Sequence, residues 1–107
     1  MVNNQALDAV FFALADPTRR RIDEKLTRRS LTVGEIAGGF NISGPAISKH
    51  VKVLEECGLL KRAVRGREHH CTLDARAMRT ASGWLARQER YWNSALDNLH
   101  DYLEKSI

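Results

Sequence analysis

Residues 41–60 read Asn-Ile-Ser-Gly-Pro-Ala-Ile-Ser-Lys-His-Val-Lys-Val-Leu-Glu-Glu-Cys-Gly-Leu-Leu, and residues 61–67 continue Lys-Arg-Ala-Val-Arg-Gly-Arg. Ser43 can cap a helix that tolerates Pro45 in its first turn and ends at Gly58. The basic stretch that follows contains a tight turn at 65–67, which predicts a β-hairpin. A capped helix followed by a charged hairpin is the order of elements with which a winged helix-turn-helix holds double-stranded DNA.

Three further helices are expected before this segment. Asn3 or Asn4 can cap the first, whose apolar stripe comprises Leu7, Val10, Phe11 and Leu14. Asp16-Pro17 is typical of a helix start, and this second helix is expected to run to about Arg28. After a short extended stretch at 30–32, Thr32 and Glu35 have the spacing of a capping box for a third helix. Gly38-Gly39 predicts that this third helix is short.

The chain after the recognition segment is expected to form two strands and a long helix. The strands are predicted at Leu60–Val64 and Glu68–Leu73, and Asp74 can cap the final helix. That helix carries a near-heptad apolar stripe made of Met78, Ala81, Leu85, Trp92, Leu96, Leu99 and Leu103. An apolar face of roughly 40 Å exceeds what so small a domain can cover, which favours pairing with a second copy.

Composition limits the alternatives. A chain of 107 residues suits one domain, and no signal peptide or membrane span is expected. Two cysteines do not make a disulfide framework, which favours a reducing cytoplasm. The net charge is +4, but residues 17–67 hold 12 Lys/Arg against 5 Asp/Glu. Basic charge concentrated around the predicted helix-turn-helix suits a polyanionic partner.

The DNA-contacting residues are predicted on the recognition helix and the wing. Small residues at the start of the helix allow a close approach to base edges, and the lysines suit phosphates. The predicted helix contacts are Ser43, Gly44, Pro45, Ala46, Ser48, Lys49, His50 and Lys52. Arg62, Arg65 and Arg67 are predicted to hold the flanking backbone from the wing, and some of Arg19, Arg20 and Arg21 are expected to reach the phosphates.

Three motifs together resemble the ArsR/SmtB family of bacterial transcriptional repressors. They are Ala13-Leu-Ala-Asp-Pro-Thr-Arg-Arg-Arg-Ile22, Ser43-Gly-Pro-Ala-Ile-Ser-Lys-His-Val-Lys-Val-Leu54 and Gly58-Leu-Leu-Lys-Arg-Ala-Val-Arg-Gly-Arg67. The resemblance implies a mainly α-helical winged helix-turn-helix with a small β-hairpin wing, dimerising through its first and last helices. It also implies an inverted-repeat operator and repression relieved by a signal. The expected dimer contacts are Leu7, Val10, Phe11, Leu85, Trp92, Leu96, Leu99 and Leu103.

Three positions depart from the pattern of the family that the chain resembles. Gly44 stands where many relatives have Gln, so one base contact is missing. Asp23 occupies a position that is usually aliphatic, and Cys71 replaces the usual Tyr or Phe of the second wing strand. The first of these changes bears on which operator sequence is recognised.

The predicted organisation is a single domain over residues 1–107. Residues 1–15 and 75–105 form the dimerisation helices, 32–57 the helix-turn-helix and 60–73 the wing. Two recognition helices then enter successive major grooves about 34 Å apart. Bound at a promoter, such as the protein's own, the dimer blocks polymerase.

No cofactor and no metal site are expected from the known layouts of the family. The third helix has no Cys-x-Cys, Asp74-Ala-Arg76 lacks the required His, and His100 with Glu104 offers only two ligands. Two alternatives stay open: a metal- or redox-responsive repressor using Cys57 or Cys71 with His69 or His70, and a winged-helix module that binds protein. The sequence has no catalytic motif, so we expect no enzyme.

Overall fold

The structure, a computed structural model, describes residues 5–106 and has the predicted class: mostly helical with a small antiparallel sheet. The elements are α1 Gln5–Leu14, α2 Pro17–Leu26, β1 Leu31–Thr32, α3 Val33–Gly38, α4 Gly44–Glu56, β2 Leu60–Arg65, β3 Glu68–Leu73 and α5 Ala75–Lys105. The predicted caps at Asn3 or Asn4 lie outside the described residues.

Side-chain caps start the helices where the sequence predicted them. The Asp16 carboxylate accepts the Arg19 backbone N–H at 3.0 Å, and Pro17 is the first residue of α2. Thr32 and Glu35 form the complete capping box of α3, with distances of 3.1 and 2.9 Å. As predicted from Gly38-Gly39, α3 is short, with 6 residues. The second helix ends at Leu26, slightly before the expected Arg28.

The sheet has the strand order β1-β3-β2, with both pairs antiparallel. Strands β2 and β3 form the predicted hairpin, in a register that runs from Leu60 opposite Leu73 to Arg65 opposite Glu68. The pairing of Leu31 with Cys71 was not predicted. It joins the segment before α3 to the wing, so the wing is anchored to the helical body along its second strand.

The core lies between α1, α2, α3, α4 and the inner face of the wing. Its largest fully buried side chains are Val10, Ile22, Ile36, Ile47, Val51, Leu54, Leu59 and Cys71. Each such aliphatic side chain contributes about 1.5–3 kcal/mol on transfer from water. At the edge of this core, the buried Asp23 Oδ1 has no hydrogen-bond partner among residues 5–106.

Helix α5 packs on the body only through its first part. Asp74 caps it by accepting the Arg76 backbone N–H at 3.1 Å, and a hydrogen bond from the Arg76 side chain holds the pKa of Asp74 well below its ordinary value. Ala81 is buried, and the Trp84 ring meets the Phe11 ring edge-on with 5.6 Å between centroids. Of residues 85–106, none is buried. The helix has 31 residues and is about 46 Å long, so most of its length extends beyond the rest of the domain.

The long final helix is too polar to be a membrane span. The same holds for the shorter ones: none of the helices within 5–106 combines the length and the apolar character needed to cross a bilayer.

Candidate nucleic-acid interface

The buried face of helix α4 fixes its orientation on the core. Ile47 and Val51 are fully buried and Leu54 is 1% exposed, so three successive turns are fixed against the core. The Ser43 hydroxyl accepts the Ala46 backbone N–H at 3.3 Å and caps the helix as predicted. At the other end Gly58 adopts a φ of +81°, which suits glycine, and turns the chain into β2.

The opposite face of α4 carries most of the predicted DNA contacts and is open. Apart from the half-buried Ala46, its first two turns expose Ser43, Gly44, Pro45, Ser48 and Lys49. Lys52 is exposed as well and lies 3.9 Å from the Glu56 carboxylate, one turn further on. Within residues 5–106, Lys49 has no ion-pair partner. Small side chains near the helix start and two cations after them suit a base edge and its flanking phosphates.

His50 lies differently from the prediction. Its side chain is 23% exposed, and its Nδ1 lies 3.9 Å from the Asp16 carboxylate at the start of α2. Because the ring faces α2, this geometry links α4 to α2 through His50 and does not favour the predicted contact with a base or a phosphate. Asp16 stays ionised, since the Arg19 backbone N–H that it accepts lowers its pKa.

The tip of the wing presents two of the three predicted arginines. Gly66 has a φ of +64°, and the two-residue turn at 66–67 joins β2 to β3. Arg65 and Arg67 flank Gly66 and are exposed. Guanidinium groups on such a turn can reach the phosphates or the minor groove beside the site that α4 reads.

Arg62, the third predicted wing arginine, lies within β2 and away from the tip of the wing. Its side chain is 20% exposed, and its guanidinium lies 3.4 Å from the Glu55 carboxylate of α4. Another of its nitrogens lies 3.4 Å from His69 Nδ1 on β3. In this geometry the charge of Arg62 is directed into the protomer, which does not favour the predicted contact with DNA. Nothing in the sequence around Glu55 indicates that its carboxylate pairs with Arg62.

The arginines of α2 are also committed to the protomer. Arg19 donates to the carbonyls of Ala13 and Phe12 at 2.6 and 3.0 Å, and Arg20 donates to that of Leu14 at 2.7 Å. The Arg21 guanidinium lies over the Phe40 ring, 4.7 Å from its centroid. These contacts satisfy the last carbonyls of α1 and do not favour the expected reach to the DNA backbone.

The two cysteines differ in their burial. Cys71 is fully buried and Cys57 is half-buried. Burial raises the pKa of both thiols, which reduces the reactive thiolate. In the part of the chain that the structure describes, no three His, Cys, Asp or Glu side chains come together in an arrangement that could hold a metal ion.

A second surface of the protomer is apolar. Five residues of the predicted α5 stripe are 51–59% exposed: Leu85, Trp92, Leu96, Leu99 and Leu103. On α1, Phe11 is 40% and Phe12 is 62% exposed. Such a continuous exposed stripe is typical of a surface that another protein covers.

Two of the predicted dimer contacts are covered within the protomer. Leu7 is 7% exposed and Val10 is fully buried within the protomer, so neither has surface to offer a partner. Phe12 is not among the predicted dimer contacts, although it is the more exposed of the two phenylalanines. It lies about 100° around the helix from Phe11, away from the stripe that contains Leu7 and Val10.

Sequence comparison gives a match to the family described as "Bacterial regulatory protein, arsR family" over residues 16–62. The transcriptional repressor SdpR of Bacillus subtilis is 33% identical over 79 residues, which cover 74% of this chain and 88% of SdpR. The HTH-type transcriptional regulator Rv2034 of Mycobacterium tuberculosis is 37% identical over 89 residues, which cover 83% of this chain and 80% of Rv2034.

Solved structures give the same result. An ArsR family transcriptional regulator superposes with a TM-score of 0.80 at 34% identity, covering 87% of this chain and 96% of its own. An ArsR-like regulator from Rhodococcus sp. RHA1 also gives 0.80, at 28% identity, covering 95% of this chain and 94% of its own. These relatives are DNA-binding transcriptional regulators, which are not enzymes.

Proposed function

The chain belongs to the ArsR family of bacterial regulatory proteins and is a transcriptional regulator that binds double-stranded DNA; from this premise we propose that it is a homodimeric repressor acting at an inverted-repeat operator. The observation that carries the proposal is the arrangement of α4. Its apolar face is buried against the core, while its opposite face keeps Lys49 and Lys52 in solvent. A helix held this way can enter a major groove as a rigid unit.

The proposed contacts follow from exposure. On α4 they are Ser43, Gly44, Pro45, Ala46, Ser48, Lys49 and Lys52, and on the wing they are Arg65 and Arg67. The lysines and arginines neutralise phosphates and set affinity and register. Ser48 and the small residues near it touch base edges, where a lone hydroxyl discriminates weakly.

Dimerisation supplies the second recognition helix. We assign the dimer surface to Phe11 and Phe12 with the exposed stripe of α5, made of Leu85, Trp92, Leu96, Leu99 and Leu103. Two copies related by a two-fold axis present two α4 helices to half-sites one helical turn apart, about 34 Å. The resulting operator is an inverted repeat.

The organisation proposed for the chain has one domain over residues 1–107. Residues 1–15 and 75–105 serve dimerisation, 32–57 form the helix-turn-helix and 60–73 form the wing. A regulator of promoters works where the chromosome is, so we place the protein in the bacterial cytoplasm, at the nucleoid while it is bound.

Repression is proposed as steric exclusion. SdpR, which is similar over most of its length, is named a transcriptional repressor. A dimer that occupies two successive major grooves blocks access of polymerase to the same promoter. We include the protein's own promoter among its targets, which would make its expression self-limiting.

Charge reversal on α4 tests this assignment. Lys49→Glu combined with Lys52→Glu should weaken operator binding at least about 100-fold at about 0.1 M salt, because both phosphate contacts become repulsive in each protomer. Both side chains are exposed, so the variant should still fold, with a Tm only slightly lower because a glutamate at position 52 faces Glu56. Fluorescence anisotropy with labelled operator DNA measures the affinity.

The matched control makes the same change of charge elsewhere. Arg87→Glu with Arg90→Glu alters two exposed arginines of α5 outside its apolar stripe and should bind DNA nearly as the unmodified protein does. If the lysine variant binds the operator as tightly as this control, α4 is not the recognition helix.

A further inference from the structure

Arg62 is held in an unusual place for a wing arginine. Its side chain is 20% exposed, while its neighbours Arg65 and Arg67 are open to solvent. The Arg62 Nε is buried and has no hydrogen-bond partner among residues 5–106. Leaving a buried donor unpaired is unfavourable, so the remaining contacts of this guanidinium must hold it there.

Those contacts join three elements. One terminal nitrogen lies 3.4 Å from the Glu55 carboxylate in the last turn of α4, and the other lies 3.4 Å from His69 Nδ1 on β3. Arg62 itself belongs to β2, where it is paired with Cys71. A single side chain thus connects the recognition helix to both strands of the wing.

Backbone hydrogen bonds shape the turn at this junction, where the Gly58 N–H donates to the Glu55 carbonyl at 3.1 Å and the Leu59 N–H to the Leu54 carbonyl at 3.0 Å. Only residues 57–59 separate α4 from β2, and Gly58 takes the left-handed conformation that turns the chain. The ion pair spans that corner from Glu55 to Arg62. Because a partly buried cation needs its anion, removing the Glu55 carboxylate should release the guanidinium to solvent.

We propose that Glu55 and Arg62 are positioning residues whose ion pair fixes the angle between the recognition helix and the wing, so that both set DNA affinity without touching DNA. The inference rests on the proposed function, in which α4 and the wing tip engage the same DNA. It assigns to Glu55 a favourable effect on the binding of a polyanion, opposite to what its charge alone predicts.

The neighbouring glutamate provides a matched control. Glu56 is exposed and lies beside Lys52 rather than Arg62. Glu55→Gln should weaken operator affinity by roughly tenfold, since two wings per dimer lose their orientation. Glu56→Gln removes the same charge and should bind slightly more tightly, because the repulsion of phosphate is lost and Lys52 no longer pairs with a carboxylate. Equal strengthening by both variants would overturn the proposal.

The salt dependence separates positioning from direct contact. Each phosphate contact contributes about 0.9 to the slope of log affinity against log salt. Arg62→Met should weaken binding about as much as Glu55→Gln and leave this slope unchanged. A decrease in slope of about 0.9 per protomer would mean that Arg62 binds a phosphate, which contradicts the proposal. The charge swap Glu55→Arg with Arg62→Glu should recover part of the lost affinity.

Hydrogen exchange in the free protein makes the test independent of DNA. The amides of β2 and β3 should exchange faster in Glu55→Gln than in Glu56→Gln. If the unmodified protein binds no operator but β2 and β3 still exchange faster in Glu55→Gln than in Glu56→Gln, the proposed function is wrong. The ion pair would nevertheless hold the wing in place. Identical exchange in the two variants would overturn the positioning role, whatever the affinity for DNA.

Discussion

Trp92 provides the clearest test of the proposed dimer surface. It lies in the middle of the α5 stripe, is 59% exposed, and packs edge-on against Tyr91 with 5.7 Å between ring centroids. An aromatic side chain of this kind buries about 150–250 Å² when fully covered. The exposed part is therefore about 90–150 Å², which becomes available for burial when a second copy docks.

The expected effect of Trp92→Ala follows from that area. If the partner covers half of it, each copy contributes about 1–2 kcal/mol at about 25 cal/mol per Å². Both copies lose the side chain, so the dimer should weaken by about 2–4 kcal/mol, or roughly 30- to several-hundred-fold in Kd. The fold of the protomer should persist, because most of the ring is outside the core.

Sedimentation equilibrium over a range of concentrations measures this shift. Arg90→Ala is the control, since Arg90 is exposed and lies on the face of α5 opposite the stripe. Its dimer Kd should match that of the unmodified protein. If Trp92→Ala dimerises as tightly as Arg90→Ala, or if the unmodified protein stays monomeric at every concentration, the α5 stripe is not the dimer surface.

Two further predictions concern stability and the wing. Asp23→Leu should stabilise the fold by about 1 kcal/mol and raise Tm by roughly 5 °C, because it removes a half-buried carboxylate with an unpaired oxygen. Burial raises the pKa of Asp23, so the unmodified protein is destabilised as pH rises through that pKa and the buried carboxylate ionises. The difference in Tm between Asp23→Leu and the unmodified protein should therefore be smaller at pH 4 than at pH 7. An equal difference at both pH values would contradict burial of the carboxylate as the reason. Arg65→Ala should weaken binding to operator and scrambled DNA equally and lower the salt slope by about 0.9 per protomer. Anisotropy titrations at several salt concentrations measure this, and a loss confined to the operator would show a base contact instead.

The features that the sequence predicted correctly are mostly local. A cap needs only a residue type and the N–H groups two or three positions later, so Asp16, Ser43 and Asp74 could be assigned from the sequence. The buried stripe of α4 likewise follows from the helical period. For the same reason the three-residue spacing of Thr32 and Glu35 is enough to predict their capping box.

The features that were missed depend on distant contacts. Pairing of Leu31 with Cys71 joins residues 40 positions apart, and no local pattern specifies it. The sequence places Arg62 beside other basic wing residues but says nothing of Glu55, whose carboxylate draws it inward. Burial of Val10 within the protomer depends on how α1 meets its neighbours, which the apolar stripe alone leaves open.

Specific recognition of DNA by α4 and the wing can be tested with one titration. Labelled fragments from upstream of the protein's own gene are compared with scrambled fragments by fluorescence anisotropy at several salt concentrations. The protein should prefer the native fragment by at least about 10³-fold. Equal, weak binding to both fragments with a steep salt dependence would contradict it, because only the contacts to the phosphate backbone would then be present.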